Sequence, residues 1–373
     1  MKPKVLYTAS TYSHIRSFHI PYLRELQRLG WEVHTACGNA PEQVSYTDKS
    51  FNLPFKKQMS SPDNIKASGQ LREIIQTETY SLIITHTSLA AFFTRLAVKG
   101  MKDRPRLINV VHGYLFDDDT PFLKKQLLLN AERFTAPETD LVLTMNRYDY
   151  DIARKYHLGK EIDIIPGIGV DFGRLDEDRS RETDVSREAL GISEDAFVLI
   201  YAAEFSRRKS QDVVIRAMAN LPEETVLILC GDGVELDRCR TLAQQLRLDK
   251  RILFPGRVEN MAAWYGIADA AVTASRSEGL PFNVMEAMYC GLPVVASRVK
   301  GHTDLITDGT TGLLYPYGDV RACADKIRYL LDSPMARGEM ADRARRGVLQ
   351  FALENAASAV MAACGAVPAV NVR

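Results

Sequence analysis

Short apolar segments alternate with amphipathic stretches along most of the chain, and this alternation constrains the fold more than any other feature. The first such segments are residues 5–9, 32–37, 82–85 and 107–111. Most are rich in β-branched residues, and a helical pattern follows. Strands and helices in regular succession indicate parallel sheets covered by helices on both faces. The sequence therefore predicts an α/β fold built from doubly wound parallel sheets.

The alternation stops once, at Pro166-Gly167-Ile168-Gly169, and then restarts. Residues 171–188 are dense in Asp, Glu and Arg, and we interpret them as a connector. A chain of 373 residues is also longer than a single core usually supports. We therefore predict two Rossmann-like domains, at 1–170 and 171–350, with a cleft between them. The tail, from about residue 351 to 373, is predicted to pack back on the first domain as a helix.

One segment, residues 277–297, combines a turn, a helix and an apolar strand in an arrangement that favours anion binding. Pro281 suits the start of a helix, and Gly291 suits its left-handed end. Free amides at a helix start favour an anion such as a phosphate. Glu278 lies just before this helix, and Glu286 lies among apolar residues in its second turn. Either both acids serve a ligand, or Glu278 complements the helix dipole and Glu286 pairs with a distant Arg.

Two further polar groups follow predicted strands, where parallel sheets bind their ligands. His112 comes directly after the segment 107–111, and Gly113 beside it allows a close approach of the backbone. Arg207-Arg208-Lys209 follows the segment 197–202, where cations would neutralise a diphosphate leaving group. Both groups also have a structural interpretation, as a satisfied histidine and as a solvated basic loop.

Other classes of function are disfavoured. Asp117-Asp118-Asp119 has no further ligands at metal-binding spacing, and the glycines near residue 168 depart from the dinucleotide fingerprint. The formal net charge is +0, with a mildly basic front half, which fits a weak attraction to anionic membrane better than nucleic-acid binding. Unpaired cysteine spacing and the lack of any apolar run near ~20 residues predict a reduced, cytoplasmic protein.

Together these motifs resemble the family 4 glycosyltransferases, retaining enzymes with two facing Rossmann-like domains of the B-type glycosyltransferase fold. The most specific match, residues 278–288, is similar to the family's E-x7-E signature, and it continues through 291–297 and 308–314. Gly231-Asp232-Gly233 and residues 254–258 support it. The matches cover most of the chain from 195 to 350, and the front half matches more loosely. The pattern resembles the branch that builds bacterial surface or capsular polysaccharide.

The resemblance implies a role for each matched residue. His112, Glu278 and Lys209 would be catalytic, and Ser13 and His14 would lie on the acceptor side. Glu278 would contact hydroxyls of the donor sugar, Glu286 the ribose, and Lys209 the diphosphate. The donor-binding set implied by the resemblance is Arg207, Arg208, Lys209, Gly231, Val258, Glu278, Gly279, Leu280, Pro281, Phe282 and Glu286. Neither a metal nor a cofactor is implied.

The chain departs from the family pattern at two places. Ala203-Glu204 stands where many members carry Gly-Arg, which displaces one phosphate cation, to Arg207 or Arg208. Residues 10–14 replace the glycine-rich turn that many members carry after the first strand. This second change alters the acceptor side, so the sequence does not identify the acceptor.

The predicted function is metal-independent, retaining transfer of a hexosyl or N-acetylhexosaminyl unit. The donor would be a nucleotide sugar, chiefly a UDP-sugar, and the acceptor a lipid-linked saccharide in cell-surface polysaccharide synthesis. The alternatives are a UDP-sugar epimerase of the same architecture and a non-catalytic nucleotide-sugar-binding protein. Residues 122–129 are basic and Leu-rich, and they fit either peripheral contact with the inner membrane face or an ordinary core helix. The core interpretation is favoured, because buried helices have the same composition.

Overall fold

The computed structural model describes residues 2–365. The chain divides into two compact units: unit 1 is Met1–Ile168 with Glu354–Arg373, and unit 2 is Gly169–Leu353. Each unit is built on one parallel sheet with helices packed against it. The predicted α/β class, with two Rossmann-like units, is therefore confirmed.

Within the described residues, unit 1 contains a seven-stranded sheet in the order β3-β2-β1-β4-β5-β6-β7. Its strands are β1 (Lys4–Thr11), β2 (Glu32–Gly38), β3 (Lys49–Asn52), β4 (Leu82–His86), β5 (Arg106–Val111), β6 (Leu141–Thr144) and β7 (Glu161–Ile164). All neighbouring strands are parallel. Strands β2 and β3 lie on one side of β1, and β4 to β7 lie on the other side. The order thus reverses at β1, the point where open α/β sheets bind ligands.

In the first segment of unit 1, which ends at Ile168, the helices are α1 (Tyr12–Phe18), α2 (Ile20–Arg28), α3 (Pro62–Glu78), α4 (Ser88–Val98), α5 (Phe122–Thr135) and α6 (Arg147–Tyr156). A short 3-10 helix occupies Ala136–Glu138. Apolar side chains of the strands and helices form two buried layers. Leu6, Leu71 and Ile83 belong to one layer, and Val142 and Ile152 to the other. The alternating apolar pattern of the sequence therefore supplies the core directly.

Unit 2 repeats the architecture with six strands among the described residues, in the order β10-β9-β8-β11-β12-β13. They are β8 (Phe197–Ala202), β9 (Thr225–Cys230), β10 (Ile252–Gly256), β11 (Ala270–Thr273), β12 (Val294–Ser297) and β13 (Leu313–Tyr315). These strands are also parallel. The order reverses at β8, so the loops after β8 and β11 meet at the carboxyl edge of the sheet.

The helices of unit 2 are α7 (Phe172–Ser180), α8 (Gln211–Met218), α9 (Leu236–Gln245), α10 (Met261–Gly266), α11 (Phe282–Tyr289), α12 (His302–Leu305), α13 (Val320–Asp332) and α14 (Pro334–Val348). A 3-10 helix occupies Leu349–Phe351, and α15 (Leu353–Ala363) follows. The contacts of α15 assign residues from Glu354 onward to unit 1. Leu199, Val214 and Leu229 are among the buried side chains of the unit 2 core.

Several elements are not indicated by the apolar pattern of the sequence. Strand β3 lies at the sheet edge and has no fully buried residue. Helix α1 starts directly after β1, so Ser13 and His14 lie on a helix and not in a loop. The predicted connector, residues 171–188, contains α7, whose Phe172 stacks on Tyr289 with ring centroids 4.2 Å apart. Short, exposed or polar elements carry too few apolar residues to be recognised from periodicity.

Helix α5 corrects another expectation. Phe122, Leu123 and Leu127 are 72, 81 and 70% exposed, whereas Leu129 is buried. The interpretation of residues 122–129 as an ordinary core helix is therefore wrong, because the helix leaves large apolar side chains uncovered. Within residues 2–365, no helix is long and apolar enough to cross a bilayer.

Candidate active site

In unit 2 a buried ion pair lies at the carboxyl edge of the sheet, where the strand order reverses. The loop after β8 carries Arg208 and Lys209, and the loop after β11 carries Glu278. Lys209 Nζ donates to Glu278 Oε1 over 2.6 Å, and Arg208 Nη1 lies 2.7 Å from Glu278 Oε2. Glu278 is 8% and Lys209 9% exposed. The structure thus brings together three of the residues singled out from the sequence.

The charges of this group are coupled. Burial raises the pKa of Glu278, but the positive charges of Lys209 and Arg208 outweigh burial and lower this pKa to about 2. Burial also lowers the pKa of Lys209, and the charge of Glu278 opposes that effect. Neutralising Glu278 would leave Lys209 as a buried cation beside Arg208, whereas neutralising Lys209 would leave Glu278 paired with Arg208 alone. At pH 7 the group is one carboxylate with two cations, and it carries a net positive charge.

Backbone and hydroxyl contacts hold the two loops in place. The Tyr201 hydroxyl donates to the carbonyl of Lys209 over 2.6 Å and lies 3.3 Å from Ser275 Oγ. The amide of Arg276 donates to the carbonyl of Arg208 over 2.8 Å. The ion pair is therefore supported by one main-chain bond between the loops that carry it and by the Tyr201 hydroxyl from β8.

Two glycines allow the backbone to approach this region closely. Gly301 has φ +80°, and a Cβ there would lie 2.7 Å from the carbonyl oxygen of Gly279 and 2.9 Å from Glu278 Cβ. Gly231 has φ +142°, and its Cβ would lie 2.0 Å from the carbonyl oxygen of Ala203. Only glycine fits both the space and the dihedral angle at these positions.

Glu286 lies half-buried on α11. The Tyr265 hydroxyl donates to Glu286 Oε2 over 3.4 Å and to the carbonyl of Asn283 over 3.2 Å. Burial raises the pKa of Glu286, and the Tyr265 hydrogen bond only partly opposes that shift. Among the described residues Glu286 forms no ion pair within 4.0 Å, although the charge of Arg174 also lowers its pKa from a longer distance. A carboxylate without a cation in direct contact is well suited to accept hydrogen bonds from hydroxyl groups.

The remaining donor-side candidates differ in exposure. Leu280 and Pro281 are buried, whereas Gly279, Phe282 and Val258 are partly exposed. The Gly231 amide donates to the carbonyl of Gly256 over 2.8 Å, which joins the ends of β9 and β10.

Arg207 points to a different group. Its Nε lies 3.4 Å from Glu235 Oε1, and its side chain is 88% exposed. It lines a cavity of about 190 Å³ together with Ser206, Gln211 and Tyr317. Of the two cations considered for the displaced phosphate contact, the structure brings Arg208, and not Arg207, to Glu278.

In unit 1, His112 belongs to a cluster of four histidines that lies where β1, β4 and β5 end. His86 Nδ1 lies 3.0 Å from His112 Nε2, and His14 Nε2 lies 3.1 Å from His19 Nε2. The His14 and His112 ring centroids are 4.8 Å apart. Tyr7 stacks on His86, and its hydroxyl lies 2.8 Å from His19 Nδ1. We call His14, His19, His86 and His112 the histidine cluster.

The histidine cluster is neutral at pH 7. Burial lowers the pKa of His14 to about 4. Burial, followed by the charge of His14, lowers the pKa of His112 to about 3. The pKa values of His19 and His86 are also well below the usual value, again chiefly through burial. Each ring therefore offers one lone pair and one N–H group.

Sequence reasoning missed several residues near both groups. His86 ends an apolar strand just as His112 follows one, so the same signal marks it. His19 follows His14 by one helical turn and a residue, and spacing alone does not show that the two rings meet. In unit 2, buried His302 hydrogen-bonds to the carbonyl of Ser297 over 2.8 Å. Ser13, the other acceptor-side candidate, is exposed and lies within 2.9 Å of Thr11 Oγ1.

Two groups of side chains have the geometry to hold a metal ion, among the residues that the structure describes. His14, His19 and His112 each place one nitrogen within 4.8 Å of the others. Glu32, His34 and Glu78 form the second group. In that group Lys4 lies 3.2 Å from each of the two carboxylates, and Lys49 lies 2.6 Å from Glu78, so lysines already balance their charge.

The two sheets, each reversing its strand order beside its first strand, define the two-domain Rossmann-like architecture of the B-type glycosyltransferases. The model for "Glycosyl transferases group 1" matches residues 182–347, and the model for "Glycosyltransferase Family 4" matches residues 22–172. EpsD of Bacillus subtilis (strain 168), which carries the name of a glycosyltransferase, is 31% identical over 94% of this chain and 93% of its own. The chain therefore belongs to the family 4 glycosyltransferases.

Other relatives and solved structures agree with this assignment. A UDP-Gal:α-D-GlcNAc-diphosphoundecaprenol α-1,3-galactosyltransferase of Escherichia coli is 24% identical over 83% of this chain and 86% of its own. Sucrose-phosphate synthase from Thermosynechococcus elongatus has a TM-score of 0.80 at 20% identity and covers 98% of both chains. Anabaena HepE, solved in complex with UDP and glucose, has a TM-score of 0.78 at 20% identity, covering 98% of this chain and 100% of its own. At these identities the structural likeness shows the fold.

Proposed function

We propose that the protein transfers a hexosyl or N-acetylhexosaminyl unit from a UDP-sugar to a hydroxyl group, with retention of configuration and without a metal ion. The observation that carries this proposal is the net positive group of Arg208, Lys209 and Glu278 at the ligand-binding edge of unit 2. A diphosphate brings the negative charge that such a group favours. Lys209 Nζ has three donors, so it can serve Glu278 and a phosphate oxygen at once.

The contacts of Glu286 support a nucleoside donor. Its carboxylate has the Tyr265 hydroxyl as a direct partner, Arg174 acts on it only from beyond 4.0 Å, and burial raises its pKa. Hydrogen bonds from two ribose hydroxyls would stabilise that carboxylate. The Anabaena HepE complex contains UDP and glucose, and the E. coli relative is named for UDP-Gal. On that basis we propose UDP as the nucleotide of the donor that this protein uses.

The state of Glu278 favours retention on one face without a covalent intermediate. To attack the sugar carbon, an oxygen of Glu278 would have to leave Lys209 or Arg208, which costs the stabilisation of the buried pair. Glu278 is ion-paired to two cations, and its pKa of about 2 reflects that stabilisation. We therefore assign Glu278 to binding sugar hydroxyls, and Lys209 with Arg208 to the charge that develops on the leaving diphosphate. His112, neutral at pH 7, is assigned to the donor sugar as the contribution of unit 1.

For the acceptor we propose a saccharide linked to a polyprenyl diphosphate, in cell-surface polysaccharide synthesis. The E. coli relative is named for such an acceptor. The uncovered apolar side chains of α5, Phe122, Leu123 and Leu127, fit insertion into a membrane interface. Lys124, on the same helix, suits anionic headgroups. We therefore place the protein in the cytoplasm at the inner face of the membrane, with Ser13 and His14 on the acceptor side.

A panel of UDP-sugars, each with and without lipid-linked acceptors, tests the proposal. Purified protein should transfer sugar only with an acceptor present, and the product should keep the anomeric configuration of the donor, as read by NMR. Glu278→Ala and Lys209→Ala variants should lose at least about a hundredfold in turnover, which is the usual cost of removing one group that stabilises developing charge. Undiminished turnover in both variants would refute the site. Acceptor-free conversion of one UDP-sugar into its epimer would instead show an isomerase, and tight UDP binding without turnover a binding protein.

A further inference from the structure

We propose that His14, His19 and His112 bind a divalent transition-metal ion of the zinc class. These residues come from α1, from the junction of α1 and α2, and from the loop after β5. They converge at the edge of the sheet of unit 1 where the strand order reverses. Nothing in the proposed donor chemistry uses three imidazoles at this point.

The spacing of the nitrogen atoms fits a shared ion. His14 Nε2 and His19 Nε2 are 3.1 Å apart, and one nitrogen of each of the three residues lies within 4.8 Å of the others. Tetrahedral zinc with bonds of about 2.0–2.1 Å requires nitrogen atoms about 3.3 Å apart. The wider distances must shorten when an ion binds, and the ring of His14, which is only partly buried, is the one that we expect to move.

The outer contacts resemble those of a built metal site. Ligating histidines usually have a partner on the second ring nitrogen, which fixes the ring. His19 Nδ1 has the Tyr7 hydroxyl at 2.8 Å, which leaves its Nε2 toward His14. His86 Nδ1 holds His112 Nε2 at 3.0 Å. The rings of His19 and His112 are therefore held before an ion arrives, and only His14 has to be ordered on binding.

The chemistry of the cluster selects the ion. Among the described residues, no carboxylate hydrogen-bonds to any of the four rings. Imidazole suits Zn²⁺, Co²⁺, Ni²⁺ and Cu²⁺, whereas Mg²⁺ and Ca²⁺ require oxygen ligands. Three histidines leave a fourth position open to water. The proposed occupant is therefore a zinc-class ion, and not the magnesium that assists many nucleotide enzymes.

One consequence rests on the proposed function. If His112 acts on the donor sugar, an ion that takes its lone pair removes it from that role. Zinc would then inhibit transfer, even though the donor site itself uses no metal. The ion would compete with catalysis at His112 and would leave UDP binding in unit 2 intact.

Direct binding to the full-length protein is the test. Chelator-treated protein is titrated with Co²⁺, and the visible absorption of the ion reports its ligands. We expect one ion per chain with a tetrahedral spectrum, displaced by an equivalent of Zn²⁺. His14→Gln, which changes a partly exposed ligand, should weaken binding at least about tenfold. His112→Gln should do the same and serves if His14→Gln disturbs folding.

Two variants provide matched controls. His157 is exposed and lies outside the histidine cluster, and Asn tolerates its left-handed φ of +52°. His157→Asn should bind Co²⁺ like the parent. His34→Gln should also bind normally, which excludes the Glu32–His34–Glu78 group as the site.

The outcomes separate this proposal from the proposed function. No stoichiometric Co²⁺ binding by the parent, or equal binding by His14→Gln and His112→Gln, would overturn the metal site. Binding that depends on both residues supports it, whether or not transfer activity has been found. Metal binding that leaves transfer unaffected would keep the site and refute the role assigned to His112.

Discussion

Replacing Glu278 with Gln tests whether the ion pair of unit 2 is held as charged groups. Gln keeps the shape of the side chain but leaves Lys209, 9% exposed, without its counter-ion and beside Arg208. Removing one partner of a buried pair costs about 3–5 kcal/mol. Arg208 loses the same counter-ion, and Glu204, whose charge also raises the pKa of Lys209, forms no ion pair within 4.0 Å of Lys209 among the described residues. We expect unit 2 to lose about 3 kcal/mol of unfolding free energy at pH 7.

The two tryptophans of the chain permit a separate measurement of unit 2. Trp31 lies in unit 1, and Trp264 is buried in unit 2. In a Trp31→Phe background, urea unfolding followed by fluorescence therefore reports on Trp264. The series comprises Glu278→Gln, Lys209→Met and the double variant. The double variant should be more stable than the sum of the single effects predicts, by at least about 1 kcal/mol, because the residues are in contact.

The pH dependence of the same series has a defined sign. The pKa of Glu278 is lowered from 4.5 to about 2. Its contribution to stability is therefore complete above pH 4.5 and is lost as the pH falls toward 2. The difference in unfolding free energy between the parent and Glu278→Gln should therefore become smaller as the pH falls over this range. Glu339→Gln breaks an exposed pair with Arg343 and should cost under about 0.5 kcal/mol. A Glu278→Gln variant as stable as this control, or strictly additive effects, would refute the coupling.

Three further predictions concern other parts of the molecule. Gly301→Ala places a Cβ 2.7 Å from a carbonyl oxygen and should cost on the order of 1–3 kcal/mol in urea unfolding, whereas Gly291→Ala, which has open space, should cost less. Equal costs would contradict the close approach. Leu123→Glu on α5 should weaken co-sedimentation with anionic vesicles about tenfold, whereas Met335→Glu, at an equally exposed site, should not. Equal effects of the two substitutions would refute the proposal that α5 contacts the membrane. The pKa of His14 is lowered from 6.5 to about 4, so unit 1 of the parent should lose unfolding free energy as the pH falls through that range. The His14→Gln variant should lose less. If urea unfolding gave the same pH dependence for both proteins, His14 would not be buried as a neutral ring.

The fold was predictable because its strands are short apolar runs between helical patterns. Thr8, Ala9 and Cys37 lie in such runs and are buried as that pattern requires. Strand β3 was not predictable, since an edge strand needs no continuous apolar face. The exposure of α5 was wrongly predicted, because composition does not distinguish an uncovered apolar helix from a buried one.

The site was partly predictable from the sequence, because contacts between residues far apart in the chain depend on the order of the strands in the sheet. Glu278 and Lys209 were marked by their positions after strands, but a contact between residues 69 apart in the chain comes from the order of the strands. The resemblance to family 4 supplied the roles that spacing left open. The histidine cluster shows the same limit: His86 ends β4 and His112 follows the adjacent strand β5, and only the sheet order places His86 Nδ1 3.0 Å from His112 Nε2.

The central claim is that unit 2 binds the diphosphate of a UDP-sugar through Lys209. Calorimetric titration of UDP into the parent, Lys209→Met and Lys250→Met proteins tests it without knowledge of the acceptor. Lys250 is an exposed lysine of the same unit and serves as the control. A hydrogen bond to a charged group contributes about 1.5–3 kcal/mol, so Lys209→Met should raise Kd by at least about tenfold while Lys250→Met leaves it unchanged. Equal Kd values for all three proteins, or no UDP binding by the parent, would contradict the claim.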